Sequence, residues 1–505
     1  MKFEYIIVQC GGLGTRLEHH TRNKPKALVA ARNLPIIFHL FQLYPKKKFI
    51  IISDYKSDIL NDYLETFAKI EYIPVETHEP GNVSGIKHAL EFIPNDEAFM
   101  LLWSDLILDF STDDLPTRNY VGVTKKFRCS WKFENHVLEK VSTDSHGVAG
   151  CFLFENKSLL ENIPTVGSFT KFLKNFEQEL FEMDMQDSIE IGSIESLEKY
   201  DPMDNRCRPY NKITFIGDRV IKEGLTAEAE ILLDRERDWY EKISAYDFHG
   251  IPKIFSMRPL TMQRIHGTNI FRADIAEDRK PAVLKKFVET LRGIHELERF
   301  PANPFDMQKD YYQKTIDRLE KIQSAIPFAT QSEFYINNQL CKNPLLHKDL
   351  FREVVDKIMR QPSQFGIIHG DCTFTNSLID SDENIFFIDA RGYFGNTKLI
   401  GDVYYDWAKI YYSIVGRFDK FNVKKFQLTI GEKISYEIEK SGWEHLEEYF
   451  FELLPNLDRK KIRFVHAIIW LSLASHCWDD FDSMCLAFYN GTFLWNEAVK
   501  EYESC

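Results

Sequence analysis

Near its amino terminus the chain reads Gly11-Gly12-Leu13-Gly14-Thr15-Arg16-Leu17, followed by Lys24-Pro25-Lys26. Glycines set directly after a strand let backbone N–H groups approach a phosphate with no Cβ in the way. Arg16 offers a forked donor to a polyphosphate, and Lys26 supplies a point charge. Together they would offset the charge that builds as the α-phosphorus of a nucleotide is attacked and pyrophosphate leaves. The pattern is neither a dinucleotide fingerprint nor a Walker A sequence, so Gly11, Gly12, Gly14 and Thr15 are read as a nucleotide-binding turn of another kind. Asp105 follows the apolar run Met100-Leu101-Leu102-Trp103. That is the carboxyl end of a predicted strand, where open α/β sheets bind ligands, and Asp105 is the expected Mg2+ ligand there.

A second set lies past residue 360: His369-Gly370-Asp371-Cys372-Thr373-Phe374-Thr375-Asn376, then Ile388-Asp389-Ala390-Arg391-Gly392. Moving a γ-phosphoryl group onto a hydroxyl needs a base or orienter for the hydroxyl and oxygen ligands for Mg2+. Asp371 suits the first role, and Asn376 and Asp389 the second. His369 is expected to brace the loop. This chemistry also demands a strand lysine for the nucleotide phosphates and a helix carboxylate to hold it. Lys222 ends the run Arg219-Val220-Ile221-Lys222. Glu236 shares a helical face with Ala229, Leu232, Tyr240 and Ile243, and a carboxylate on an apolar face needs a cation. Glu228 and Glu230 are expected in solvent. Met262-Gln263-Arg264-Ile265 reads as a hinge whose backbone, at Gln263 and Ile265, would hold the adenine.

The elements that must position these residues follow from periodicity. Apolar runs at Tyr5–Val8, Phe49–Ile52, Ile70–Val75 and Phe99–Trp103 alternate with helical patterns from about Pro35, Lys56 and Ser84. That alternation predicts a parallel sheet with helices on both faces. Strands follow at Tyr120–Thr124 and Val148–Phe154, then a helix from Ser168 to about Leu180. A polar, Pro-containing break at Tyr200–Asn205 sets the expected domains at 1–203 and 204–505. Beyond it, Lys212–Ile216 and Arg219–Glu223 flank Gly217-Asp218, a hairpin signal. A helix from Thr226 to Ile243 and strands near Ile254 and at Leu260–Arg264 complete a small sheet-rich lobe. From Arg272 onward a mainly helical lobe is expected, with short strands near Ile367 and Phe386. Trp407, Tyr411, Trp470 and Trp478 read as core in preference to an acceptor pocket.

With 505 residues and 44% apolar content, the chain has material for two or three packed cores. Its net charge of −13 argues against nucleic-acid and membrane partners. Nine cysteines without CxxC spacing predict neither a disulfide frame nor structural zinc, and a reducing compartment. Phe3–Val8 reads as a strand rather than a leader, and Phe464–Trp478 as a buried helix rather than a span. A cytoplasmic location is expected.

Residues 1–200 resemble the nucleotidyltransferases that make nucleotide-sugars and CDP-choline-type donors. The resemblance rests on Gly11–Leu17, Lys24–Lys26, Trp103-Ser104-Asp105, Glu139-Lys140, Ala149-Gly150-Cys151-Phe152 and Ile189-Glu190-Ile191-Gly192-Ser193. It implies a Rossmann-like α/β domain, substrate contacts at Ser84, Glu139, Lys140 and Gly150, and a second metal carboxylate at Glu190. The sugar-type members usually carry Asp at that last position, and Asp187 is the alternative here. The family's Gly-Thr-Ala-Gly substrate loop is replaced by Gly81-Asn82-Val83-Ser84-Gly85. Residues 206–505 resemble the aminoglycoside phosphotransferase and choline kinase superfamily, through His369–Asn376, Asp389 and the Asp-containing segment Gly401–Ala408. That implies a two-lobed, protein-kinase-like α+β domain using ATP. The chain is therefore expected to phosphorylate a small hydroxyl substrate from ATP and couple the ester to a second nucleotide, CTP, UTP or GTP. A sugar, with an NDP-linked product for surface glycans, leads. An amino alcohol or polyol with a CDP-linked product, and a regulatory protein with one inactive domain, stay open.

Overall fold

Strands buried on both faces read as unbroken apolar runs, and those of the amino-terminal half do so because helices cover each side of their sheet. In chain order they are β1 (Tyr5–Gln9), α1 (Ile36–Leu43), β2 (Lys48–Ser53), α2 (Ser57–Phe67), β3 (Tyr72–Glu76), α3 (Val83–Ala89) and β4 (Phe99–Trp103). β1 lies between β2 and β4, parallel to both, with Ile7 opposite Ile50 and Leu101. Alternate residues point to opposite faces. Ile7, Ile50, Phe99 and Leu101 share one core with Val83 and Ile86 of α3. On the other face Phe41 of α1 meets Phe49 edge-on at 4.9 Å.

The computed structural model describes residues 1–185, 187–201 and 211–503. The chain divides into two units, Met1–Arg206 with Trp478–Asp482, and Cys207–Cys477 with Ser483–Cys505. Of the expected break at Tyr200–Asn205, everything after Asp201 lies outside the described residues.

The first sheet is mixed rather than wholly parallel. After β4 come β5 (Leu106–Ile107), β6 (Asn119–Thr124), β7 (Lys132–Glu134), β8 (Val137–Glu139) and β9 (Gly147–Phe154), with no helix between them. Without a crossover helix successive strands fold back antiparallel. β9 accordingly runs antiparallel to β4, with Cys151 opposite Leu102. The nine-stranded sheet follows the path β8-β7-β9-β4-β1-β2-β3, and β6 pairs with β9. The helix expected from Ser168 is short: α4 (Phe169–Leu173) tightens into a 3-10 stretch that ends at Glu179. Leu180 instead opens β10 (Leu180–Asp184), parallel to β6. β11 (Ile189–Glu190) pairs with β5, and α5 (Ile194–Tyr200) follows behind a Ser193–Ser196 capping box.

The second unit begins with β12 (Asn211–Ile216) and β13 (Arg219–Gly224), joined through the two-residue turn Gly217-Asp218 with Gly217 at φ +55°. α6 (Ala227–Ser244) starts where Thr226 accepts a hydrogen bond from the Ala229 N–H. β14 (Ile254–Met257) and β15 (Leu260–Gln263) complete an antiparallel sheet in the order β12-β13-β15-β14. Only Arg264–His266 separate it from β16 (Gly267–Asn269), whose Gly267 lies opposite Asp380 of the next lobe. That lobe holds α7 (Lys280–Leu297), β17 (Gln364–Ile367), β18 (Ser377–Asp380), β19 (Ile385–Phe387), β20 (Ile400–Asp402), α8 (Val403–Ile414) and α9 (Arg459–Leu473). It is less purely helical than expected. Glu333–Ile336, Gln339–Lys342, Phe426–Ile430 and Ile434–Ile438 form a four-stranded sheet from two hairpins. The turn Asn337-Asn338, both at positive φ, is the local signal for the first of these. Trp407, Tyr411 and Trp470 are core residues, as read from their spacing. Among the described residues no helix is long and apolar enough to cross a membrane.

Candidate active sites

At the carboxyl end of β1 the chain turns through Gly11–Gly14 into a 3-10 helix, Thr15–Thr21. Gly14 sits at φ +62°, and a Cβ there would come within 2.8 Å of Thr21 Cγ2, so glycine is required on both counts. Among the described residues nothing lies within 4 Å of the place a Gly12 Cβ would fill, which leaves that backbone open to a ligand. Lys26 forms an ion pair with Asp105, which β4 delivers at its carboxyl end. Arg16 pairs with Glu190 at 3.0 Å, and the Ile191 N–H donates to the Asp105 carbonyl at 2.7 Å. Two cations and two carboxylates thus meet at the strand ends of β4, β5 and β11. Asp105 Oδ2 is engaged by Lys26, while its buried Oδ1 has no hydrogen-bond partner among the described residues. A buried carboxylate oxygen without a donor fits a cation ligand. Burial, followed by the Asp105 charge, raises the Glu190 carboxyl above its ordinary value. The Asp105 charge thus bears on Glu190, an arrangement a divalent cation would relieve.

Of the expected substrate contacts, Gly150 lies in β9 at φ +87°, where any Cβ would overlap the Trp103 ring. It falls in a register shift between Val148 and Phe152. Glu139 ends β8 and is exposed, as is Lys140. Ser84 is buried inside α3. The preceding Asn82 accepts from Gln9 Nε2 through its carbonyl at 2.7 Å and from the Phe169 N–H through its side chain at 2.8 Å. Asp187, the alternative metal ligand, is exposed, whereas Glu190 is in contact with the cluster.

In the second unit Lys222 Nζ lies 2.6 Å from Glu236 Oε2 and 2.6 Å from Asp389 Oδ1. Buried residues of α6 recur at Ala229, Leu233, Glu236, Tyr240 and Ile243. Leu232 was expected inward but is 56% exposed. At 100° per residue it falls at the margin of that stripe, while Leu233 falls within it. Glu230 is not free in solvent as expected: it pairs with Arg237 at 2.6 Å and accepts from the Gly224 N–H. Burial is the largest influence on Glu236 and pushes its carboxyl up; the nearby Lys222 opposes this. Removing Lys222 would strand a buried carboxylate, a loss of about 3–5 kcal/mol. On the same helix Trp239 Nε1 donates to the Ile368 carbonyl at 2.9 Å, tying α6 to the catalytic loop.

That loop is held by Asp406 of α8. Its carboxylate accepts from the His369 N–H at 2.8 Å, the Gly370 N–H at 2.7 Å and His295 Nε2 at 2.9 Å. His369 is fully buried; Nδ1 accepts from the Asp371 N–H, so Nε2 carries the hydrogen bonded to the Ile388 carbonyl. It is a neutral brace, with burial lowering its pKa. Asp371 and Asp389 present side chains 39% and 48% exposed. Burial alone would raise the Asp371 carboxyl, but Lys409, 2.8 Å away, holds it below the ordinary range. Asn376 Nδ2 donates to both the carbonyl and the carboxylate of Asp371, which leaves its amide oxygen for a cation. Asp389 has φ +60°, a strained conformation that carries its carboxylate back toward Lys222. At the hinge, Gln263 N donates to Lys253 O and Arg264 N to Asp218 O. Among the described residues nothing accepts from the Ile265 N–H.

Lys409 was not singled out in the sequence, although a signal exists: Asp406 and Lys409 are the charged residues of an otherwise uncharged, buried helix. Lys314 and Asp310, which pair at 2.5 Å, lie in a charge-rich segment that offers no such contrast.

Residues 5–119 match the family described as nucleotidyl transferase, and residues 217–428 the phosphotransferase enzyme family. The chain thus joins an amino-terminal nucleotidyl transferase domain to a carboxyl-terminal domain of the phosphotransferase enzyme family. The bifunctional protein GlmU of Methanococcus maripaludis is 32% identical over 111 residues, 22% of this chain and 26% of its own. Glucose-1-phosphate cytidylyltransferase of Salmonella typhimurium is 30% identical over 131 residues, 20% of this chain and 51% of its own. The chain therefore spans only 26% and 51% of the length of these curated relatives. Among solved structures, the inositol-1-phosphate CTP transferase from T. maritima aligns with 39% of this chain and 91% of its own, at 18% identity and a TM-score of 0.33.

Proposed function

We propose that the chain is a bifunctional transferase that makes a phosphate ester and then activates it. What carries this reading is that each half of the chain assembles a full phosphate-handling set. Lys222, Glu236, Asp389, Asp371 and Asn376 form one, and Arg16, Lys26, Asp105 and Glu190 the other.

In the phosphotransferase domain Lys222, fixed by Glu236, would hold the α- and β-phosphates of ATP, and the hinge backbone at Gln263 and Ile265 the adenine. Asp371 accepts the hydrogen bond of the acceptor hydroxyl and takes its proton as the oxygen attacks the γ-phosphorus; ADP leaves. Its low pKa suits an orienting base that keeps its charge at neutral pH. In the nucleotidyl transferase domain the glycine turn cradles a second triphosphate. An oxygen of the new ester attacks its α-phosphorus, and Arg16 and Lys26 take up the charge passing to pyrophosphate. Mg2+, when bound, would draw charge from the phosphate oxygens; Asp105 and Glu190 would hold it in the first domain, Asn376 and Asp389 in the second. Glu139, Lys140, Gly150 and Ser84 are the proposed contacts to the ester.

The acceptor in this reading is a sugar or related polyol, and the product an NDP-linked donor for surface glycans. The relative that acts on glucose 1-phosphate supports a sugar phosphate as the second substrate. The test is to supply the full chain with Mg2+, ATP, each of CTP, UTP and GTP, and a panel of sugars, polyols and amino alcohols. ADP and pyrophosphate formed in equal amounts with one acceptor would support the reading. Pyrophosphate without ADP, or ADP without pyrophosphate, across the panel would overturn the two-step scheme.

A further inference from the structure

Beside Asp371 the phosphotransferase domain gathers more cations than its own carboxylates balance. Lys409 takes Asp371 itself. Arg391 donates through Nη1 to the Tyr405 hydroxyl at 2.6 Å and through Nη2 to Asp310 Oδ1 at 3.2 Å, and its guanidinium stacks 4.0 Å from the Tyr393 ring centre. Lys314 reaches the other oxygen of the same Asp310 at 2.5 Å. Arg318 lies one turn further along the same helix and its charge acts on Tyr393, and Arg235 stands 4.6 Å over the Tyr393 ring. Among the described residues Asp310 is the one carboxylate in ion-pair reach of Lys314 and Arg391, and Arg318 and Arg235 have none. Lys314 and Arg391 are only 16% and 14% exposed, so water compensates this excess poorly. The strain registers on the groups themselves. Burial, and after it Arg391, lowers the Lys314 ammonium well below its ordinary range. Tyr393 is lowered although burial raises it, because Arg391 and Arg318 stand beside it.

The cluster belongs to the acceptor side of the site. Arg391 donates its backbone N–H to the His369 carbonyl at 2.9 Å and so lies beside the loop of Asp371, the group proposed to meet the incoming hydroxyl. Lys409 pairs with Asp371 at 2.8 Å, whereas Lys222 pairs with Asp389 and Glu236. We propose that the acceptor of this domain carries an anionic group of its own, a carboxylate or a phosphate, bound by Lys314, Arg391 and Arg318 while its hydroxyl meets Asp371. Resting on the phosphotransfer reading above, it narrows the acceptor to acidic sugars or polyols and excludes cationic amino alcohols.

Thermal unfolding of the full chain, saturated with Mg2+ and a non-hydrolysable ATP analogue so that the γ-phosphate position is filled, tests this. Sulfate and malonate should raise the unfolding temperature more than chloride at equal ionic strength. Lys314→Met and Arg318→Gln should lose that increment while keeping the stabilisation given by the analogue. Sulfate no better than chloride, or an undiminished response in the variants, would overturn the proposal. If Lys314→Met does not fold, Arg318→Gln at its partly buried position decides. ADP release with glycerol against glycerate, and glucose against glucuronate, separates an acceptor anion from a free one. Preference for the acidic member, on the order of tenfold or more in kcat/KM as for a charged hydrogen bond, ties the anion to the acceptor. Turnover of neutral or cationic members alone would defeat the inference and leave two-step transfer intact. No ADP from any compound would count against the phosphotransfer reading, while the sulfate response would still judge the cluster.

Discussion

In the proposed reading the nucleotidyl transferase chemistry turns on Arg16 and Lys26, and both meet carboxylates in the structure. A bound triphosphate would compete for them, while a cation would take their place on Asp105 and Glu190. Arg16→Ala and Lys26→Ala are each expected to slow pyrophosphate release by roughly ten- to a thousand-fold, as for loss of one charge-stabilising donor. Release at wild-type rates in both variants would reduce the glycine turn to a structural feature. A second residue-scale expectation concerns His466. It is buried, accepts from Trp470 Nε1 at 3.0 Å, and burial with help from Lys409 depresses its pKa to about 3. An unfolded histidine titrates near 6.5. The native state therefore resists a proton that the unfolded state accepts, and stability should fall as pH drops from about 6.5 toward 3. The whole shift is worth at most about 4–5 kcal/mol. His466→Gln keeps an acceptor for Trp470 and removes the titration. Urea unfolding between pH 7 and pH 4 should show a shallower loss in the variant; equal slopes would mean His466 is not held neutral.

At the scale of elements, α6 connects Lys222, the proposed nucleotide-phosphate ligand, to the loop that carries Asp371. One turn positions Glu236 on Lys222, and the next sends the Trp239 indole to the Ile368 carbonyl. Trp239→Phe keeps the ring and loses the hydrogen bond, leaving a buried carbonyl unpaired at a cost of about 1–3 kcal/mol. It should lower ADP release while pyrophosphate release from a supplied ester is unchanged. An equal fall in both would show that the helix serves general stability. This helix also shows what was legible in the sequence. A lone carboxylate on an apolar stripe announces its partner, so Lys222–Glu236 could be read in advance. The edge of the stripe could not, because Leu232 and Leu233 are equally apolar and only packing chooses between them. The mixed sheet followed the same logic. Helical periods between β1 and β4 marked parallel strands, and their absence after β4 was the signal for antiparallel ones. Lys314, Asp310 and Arg391 became a cluster only through folding, since more than seventy residues separate Lys314 from Arg391 and nothing local links them.

In the proposed reading the whole molecule pairs two chemistries that share an intermediate. If the phosphotransferase domain makes the ester that the nucleotidyl transferase domain consumes, a phosphorus atom can be followed through both. Asp371→Ala should stop the first transfer and leave the second intact when the ester is supplied, because Asp371 and Arg16 belong to separate units. Loss of both activities in a folded Asp371→Ala protein would contradict that division. The most direct measurement supplies the full chain with ATP labelled at the γ-phosphorus, an unlabelled second nucleoside triphosphate and the acceptor panel. The account predicts that the label passes into a nucleotide-linked product, as the phosphate next to the acceptor. It should stop at the free ester in Arg16→Ala and remain in ATP in Asp371→Ala. Label that ends as the free ester or as inorganic phosphate in the wild-type protein, whichever nucleotide is present, would contradict the account.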